Sequence, residues 1–321
     1  MPSSLDRFRG CVVGCAVGDA LAMPVEGLAP QDVAERFGGC VRDYHRSDAL
    51  GPGQYTDDTQ MTVLLAESIV HTGCLDVQDF ASRLGEWILG GDSGESRVRR
   101  VGRTTAAAAR RLAEGVDWTK AGEPGGGCEA AVRAAPVGLL HAFLRTRLLA
   151  DARLSAVCTH TDKAAIGGAL AVAAGTAELA LAASPLTPAH FINVVASAAA
   201  EESSELAEAI IGVKDLLETP EGRMPEWAGT GAEVRDVVPA AVCCFLRHPR
   251  SFERAVERAA AAAGACCSVA AITGAWAGAH LGLARIPSRL LNGIENLEGL
   301  VGLGEGVYRV ATSRGREVSR V

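Results

Sequence analysis

Apolar residues return along this chain every three or four positions, and strict alternation of apolar with polar residues is hard to find. That is the period of helices, not of half-buried strands. Met61, Leu64, Leu65 and Ile69 stand at i, i+3, i+4 and i+8 and form one stripe. Thr56 or Asp57 is placed to cap its start, and Gly73 to end it as the residue after the C-cap. The same spacing predicts further helices over 5–18, 76–90, 102–114, 128–148, 163–182, 188–199, 203–218, 232–246, 252–263, 268–283 and 287–301. Thr187 and Pro188 read as an N-cap and first-turn pair, while Pro185, Pro220 and Pro225 punctuate connections. No repeat period emerges and no linker divides the chain, so the pattern predicts an all-α, multi-helix single domain over 1–321. The Gly- and Pro-bearing stretches 24–30, 50–57, 90–96 and 122–128 are its irregular segments, and a site on a rigid helical scaffold belongs on such loops.

Composition adds limits. Of 321 residues, 48% are hydrophobic and only 4% aromatic, so the core is large and built from small side chains that let helices approach closely. The net charge of −7 supplies no basic stripe and argues against a nucleic-acid partner. No run of about 18 uncharged apolar residues suggests a membrane span, and MPSSLDRFRG lacks the apolar core of a secretory signal. The ten cysteines include the adjacent pairs Cys243-Cys244 and Cys266-Cys267, with no CxxC spacing. That usage fits reduced thiols in a cytoplasmic protein better than a disulfide framework.

The chemistry begins at TDDTQM, residues 56–61. Acids at a helix start satisfy free N–H groups and the helix dipole without further purpose. Thr56 with Asp57 and Asp58 also offers the oxygen donors that a hard cation such as Mg²⁺ requires, provided the first turn is irregular enough for adjacent acids to converge. Taken singly, Glu26 reads as a solvated loop acid, Gly125, Gly126 and Gly127 as a flexible connection, and His160 as a satisfied buried imidazole.

Context changes those readings. GCAVGDALAMPVEG at 14–27, GPGQYTDDTQM at 51–61, GGGCEAAVRAAPVGLL at 125–140, THTDKAAIGGALAVAAG at 159–175 and SVAAITGAWAGAHLGLARIP at 268–287 resemble, in order and along nearly the whole chain, the motifs of the ADP-ribosylglycohydrolase family. The resemblance implies an all-α domain that holds two Mg²⁺ or Mn²⁺ ions and cleaves the bond between C1″ of a ribose and an attached atom. It makes Thr56, Asp57 and Asp58 metal ligands and Glu26 the mobile-loop glutamate beside metals and water. It makes Gly125, Gly126, Gly127 and Cys128 a phosphate-receiving loop and places His160 in the site lining.

The departures are as informative. Where the family reads Gly-Gly-Asp-Thr-Asp-Thr, this chain has Ala263, Gly264, Ala265, Cys266, Cys267 and Ser268, so both aspartates that complete the metal site are gone. Sulfur is a poor ligand for a hard cation. At most one weakly held Mg²⁺ is therefore expected. In the phosphate loop, Cys128 replaces a usual asparagine and Glu129 a usual glycine, and a glutamate there repels a phosphate.

The expected activity is hydrolysis of a ribosyl N-glycosidic bond, with Asp57, Asp58 and Glu26 as catalytic residues. Without a full complement of cations, Asp57 and Asp58 repel each other, which raises a carboxyl pKa and suits acid or base work. The expected substrate is an ADP-ribosylated or NAD- or nucleotide-derived small molecule, such as an intermediate of a biosynthetic pathway; an ADP-ribosylated protein is the family's familiar target. The alternative is a pseudoenzyme that binds ADP-ribose-like ligands or a protein partner.

Overall fold

The computed structural model describes residues 2–47, 50–93, 98–181, 185–219, 231–261 and 264–318. Among these there are seventeen α-helices. The first three are α1 (Ser4–Ala22), α2 (Pro30–Phe37) and α3 (Asp57–Thr72). Next come α4 (Val77–Ser93), α5 (Arg103–Ala113), α6 (Trp118–Ala121), α7 (Glu129–Val132), α8 (Ala135–Leu140) and α9 (Leu148–Val157). The central helix α10 (Lys163–Ala180) is followed by α11 (Pro188–Ala200), α12 (Ser204–Glu218), α13 (Val234–Arg247) and α14 (Phe252–Ala260). The last are α15 (Cys266–Leu281), α16 (Ser288–Gly293) and α17 (Leu297–Val318). The all-α expectation holds: among the described residues, strand-like pairing is limited to two isolated bridges, Glu123 with His160 and Gly127 with Glu233.

The architecture is organised on one seam. Gly10, Gly14 and Gly18 repeat every fourth residue along α1 and face Ala270, Gly274 and Gly278 of α15. A Cβ on Gly14 would lie 2.2 Å from the Gly274 carbonyl oxygen, and one on Gly18 would lie 1.9 Å from that of Ala270. The two backbones touch, which only a side-chain-free face permits. Helices α3, α10, α13, α14 and α17 pack around this pair, and buried apolar side chains from Phe8 to Ala311 form one continuous cluster. Ser4–Val25 is long and apolar enough to cross a membrane by length and composition, yet 89% of its apolar window is buried inside the fold, as expected of a core helix.

Four expectations need correction. The helix expected over 128–148 is instead α7 and α8, a turn, and the start of α9. Pro136 lacks an N–H and sits in the first turn of α8, so a helix cannot run through it. The helix expected over 287–301 is interrupted at Asn296, a non-glycine residue at φ 54, and resumes as α17. The stretch after 30 forms α2, with Pro30 in its first turn and Gly38 at φ 66 ending it, a Pro-start and Gly-stop pair that apolar spacing alone did not show. Of the segment expected to be irregular over 90–96, residues 90–93 instead continue α4, while 94–96, together with Pro220, Pro225 and Ala263, lie outside the described residues.

Candidate active site

The site forms where α1 ends and α3 begins. Thr56 caps α3 in an extended conformation and accepts a hydrogen bond from the Asp58 amide. Its own donors go to Asp19 of α1: the Thr56 amide to Oδ2 at 3.0 Å and the hydroxyl to Oδ1 at 2.9 Å. Thr59 adds its amide at 3.1 Å and its hydroxyl at 2.6 Å, both to Asp19 Oδ2. Asp19 is fully buried and thus clamps the first turn of α3 onto α1. Burial raises its pKa to about 6, while the threonine hydrogen bonds oppose a larger rise. Sequence reading did not single out Asp19, although an isolated carboxylate in the apolar run CAVGDALAM was a usable signal.

With the turn held there, Asp57 and Asp58 are buried too, at 5% and 3% exposure. The Asp57 amide donates to the Arg99 carbonyl, and Asp58 Oδ2 accepts from the Ser268 hydroxyl at 2.8 Å. Burial pushes both carboxyls well above the ordinary aspartate range. Asp19, Glu129 and Glu26 add repulsion at Asp57, and Asp57 and Asp19 do so at Asp58.

Glu26 closes one side. Its carboxylate pairs with Arg100 Nη1 at 2.8 Å, and the same nitrogen donates to the Met23 carbonyl at 2.9 Å. Arg100 sits at φ 58, a left-handed conformation uncommon for a side-chain-bearing residue. Its neighbour Arg99 grips Glu295 through both terminal nitrogens, at 2.5 and 2.9 Å. The loop thus sends one arginine toward Glu295 and the next toward Glu26.

The glycine loop closes the other side. The Gly126 carbonyl accepts from the Val234 amide, and a cavity of about 550 Å³ opens beside Gly102, Arg103, Thr104, Glu129 and Glu233. Each glycine is filled by a neighbour: a Cβ on Gly125 would meet Thr104 Oγ1 at 2.3 Å, one on Gly126 Glu233 Oε2 at 2.1 Å, and one on Gly127 Glu129 Oε2 at 2.2 Å. Glu129 Oε2 lies 3.3 Å from His160 Nε2, and His160 Nδ1 lies 2.9 Å from the Thr159 hydroxyl. That hydroxyl accepts from the fully buried Arg133 at 2.5 Å. Burial works to raise the Glu129 pKa, but the hydrogen bond from His160, helped by the nearby Arg133 charge, holds it below the ordinary glutamate value.

The structure therefore buries Thr56, Asp57 and Asp58 together, with the half-buried Glu26 on one side and Gly125, Gly126, Gly127, Cys128 and His160 on the other. Cys128 links the two parts, since its thiol is buried and burial, with the charges of Asp58 and Glu129, pushes its pKa well above the ordinary range.

The sequence profile of the ADP-ribosylglycohydrolase family matches residues 1–317. The chain belongs to the ADP-ribosylglycohydrolase family. An uncharacterized protein of Archaeoglobus fulgidus is 37% identical over 307 residues, covering 95% of this chain and 97% of its own. The ADP-ribosylarginine hydrolase Tri1 of Serratia proteamaculans is 29% identical, with 96% of this chain and 80% of the relative covered. Among solved structures, an ADP-ribosylglycohydrolase-related protein complex superposes with a TM-score of 0.79 at 28% identity, covering 96% of this chain and 99% of its own. Family and relatives together support a glycohydrolase-type enzyme.

Within this ADP-ribosylglycohydrolase fold, the segment after Gly264 carries an unusual donor set. Ala265 offers a methyl group, the Cys266 thiol donates to the Ala22 carbonyl at 3.5 Å, and burial raises the Cys267 thiol well above its ordinary pKa. Ser268 alone presents oxygen, and it donates to Asp58. Among the described residues, no group of three or more His, Cys, Asp or Glu side chains is arranged to hold a metal ion.

Proposed function

We propose that this protein hydrolyses a ribosyl N-glycosidic bond on an ADP-ribosylated or NAD- or nucleotide-derived small molecule, as a step of a biosynthetic route, and that Asp57, Asp58 and Glu26 carry the chemistry. The observation that bears most weight is the burial of Asp57 and Asp58 side by side with raised pKa values, within reach of the charge of Glu26. Burial and mutual repulsion make each carboxyl hold its proton more tightly than a free aspartate does, and a carboxyl that keeps its proton is a general acid. Ribosyl transfer passes through an oxocarbenium-like state that an ionised carboxylate stabilises. In the step we infer, a water oxygen bonds to C1″ as the C1″–N bond breaks. The nitrogen leaves with the proton held by the Asp57–Asp58 pair, and the water proton passes to Glu26.

The donor set does not fit two hard cations. Ala265 and the thiols of Cys266 and Cys267 stand where oxygen ligands are needed, and the Thr56 hydroxyl is already given to Asp19. We read the metal site as reduced to at most one weakly held Mg²⁺ at Thr56, Asp57 and Asp58, and no step above uses it. The ten cysteines, none in a disulfide, suit a reducing compartment such as the cytoplasm.

The test is chromatographic detection of base or ribose-phosphate release from ADP-ribosyl-arginine, NAD and nicotinamide mononucleotide. Asp57→Ala and Glu26→Ala should lower the rate about a hundredfold or more while the protein stays folded. Full activity in both variants would overturn the assignment, and tight ADP-ribose binding without turnover in the unaltered protein would point to a binding module.

A further inference from the structure

This inference rests on reading the cavity beside the glycine loop as the substrate pocket. We propose that Glu129, standing where the family carries glycine, determines the specificity of that pocket by making the glycine loop a seat for a cationic nitrogen group in place of a phosphate.

The first support is position. Glu129 lines the cavity and spreads its carboxylate over two glycines: Oε1 would lie 1.7 Å from a Cβ on Gly102, and Oε2 2.2 Å from one on Gly127. The carboxylate fills the space over the loop backbone that an incoming phosphate would need, and it carries the same sign of charge.

The second support is how the carboxylate is held. Arg133, with 0% exposure and its guanidinium over the Phe80 ring, is an obligate donor, and it spends one N–H on Thr159 Oγ1. The Thr159 hydroxyl therefore has one proton of its own to place, with His160 Nδ1 at 2.9 Å and the Ala156 carbonyl at 3.3 Å as acceptors. The nearer acceptor is Nδ1, which leaves the ring proton on Nε2, aimed at Glu129 Oε2. The chain Arg133, Thr159, His160, Glu129 thus ends in an N–H given to an ionised acceptor, in keeping with the lowered pKa of Glu129. Only one of the two carboxylate oxygens is engaged by His160, and the group retains acceptor capacity toward the cavity.

The third support is the balance of charge around it. Glu233 places a second carboxylate over Gly126, and Glu123, also in the lining, is paired with Arg111 at 2.7 Å. Arg103 is the lining residue of opposite sign, and it is exposed. The loop therefore meets its occupant with acceptors, and a planar group rich in N–H donors such as a guanidinium is the complement that two flanking carboxylates select.

The test is binding to the full chain, with methylguanidinium and inorganic pyrophosphate as probes, followed by calorimetry and by amide shifts at Gly126 and Gly127. Unaltered protein should bind methylguanidinium at the loop and exclude pyrophosphate. Glu129→Gln should weaken methylguanidinium about tenfold or more, the scale of one charged hydrogen bond. Glu129→Gly, which restores the family residue, should bind pyrophosphate at least about tenfold better than the unaltered protein. If Glu129→Gly does not fold, the near-isosteric Glu129→Gln decides alone. Pyrophosphate bound equally well with and without Glu129, or methylguanidinium affinity unchanged in Glu129→Gln, overturns the proposal. No turnover is needed, so an absence of glycosidase activity would remove the proposed function and leave this result standing, and the converse also holds.

Discussion

The glycines of the α1–α15 seam and those of the pocket leave the same gap, a missing Cβ, and the molecule fills it in two ways. At the seam the gap is taken by the partner's backbone: Gly14 by the Gly274 carbonyl, Gly18 by that of Ala270, Gly278 by that of Gly10. In the pocket it is taken by carboxylates at the ends of rotatable chains, Glu129 over Gly102 and Gly127, and Glu233 over Gly126. A backbone carbonyl moves only if its helix moves, whereas a glutamate head swings through ordinary rotamers. The scaffold therefore has little freedom to vary, and the pocket has a good deal. A replacement such as glutamate for glycine at 129 changes what the site accepts and leaves the helices in place.

Substitutions can sharpen that contrast. The largest effect belongs to the seam: Gly18→Ala, whose Cβ would lie 1.9 Å from the Ala270 carbonyl oxygen, should cost about 3 kcal/mol or more and shift the urea midpoint accordingly. Asp19→Ala, at the site end of the seam, leaves two amides and two hydroxyls without their acceptor. The same melts should show a loss of about 2–4 kcal/mol.

The far end of the seam supplies a pH effect. Burial, then the charge of Arg7, lowers the His280 pKa from 6.5 to about 4. Folding favours the neutral imidazole, so its contribution is complete above pH 6.5 and is lost as pH falls toward 4. Allowing for partial exposure, the loss is about 2 kcal/mol. His280→Phe, which removes a ring nitrogen without a hydrogen-bond partner, should flatten that part of the stability–pH curve. The smallest effect on stability is expected from Gly102→Ala, about 0.5 kcal/mol or less, because only the Glu129 head, at the end of a rotatable side chain, must move from 1.7 Å and the backbone, at φ −66, accepts any residue. The same variant should weaken methylguanidinium binding although every charge is retained. A melting loss as large as that of Gly18→Ala would erase the distinction between seam and pocket.

Much of this was legible in the sequence. The α3 stripe, its Thr56 cap and its Gly73 terminus at φ 74 all stand as spacing predicted. Pro136 lies inside a continuous apolar run whose spacing is helical throughout, so periodicity alone predicts one helix where the missing N–H of Pro136 starts a separate one. The clamp at Asp19 was only half legible: a lone carboxylate in the apolar run CAVGDALAM marks a buried acceptor, but its partners lie 37 and 40 residues away. The left-handed turn at Arg100 was equally hidden, since it follows from pairing Arg99 with Glu295 while Arg100 turns to Glu26. Glu129 was legible as a departure from a pattern, but its role in the pocket required the His160 contact.

The measurement that bears most directly on the carboxylate account is base release, from whichever panel substrate is turned over, in the presence of a strong chelator. The account predicts that release persists under chelation in the unaltered protein and falls about a hundredfold or more in Asp57→Ala. Release that stops with chelator and returns with added Mg²⁺ would contradict it, and would mean that Thr56, Asp57 and Asp58 act as half of a metal cage and not as the acids and bases themselves.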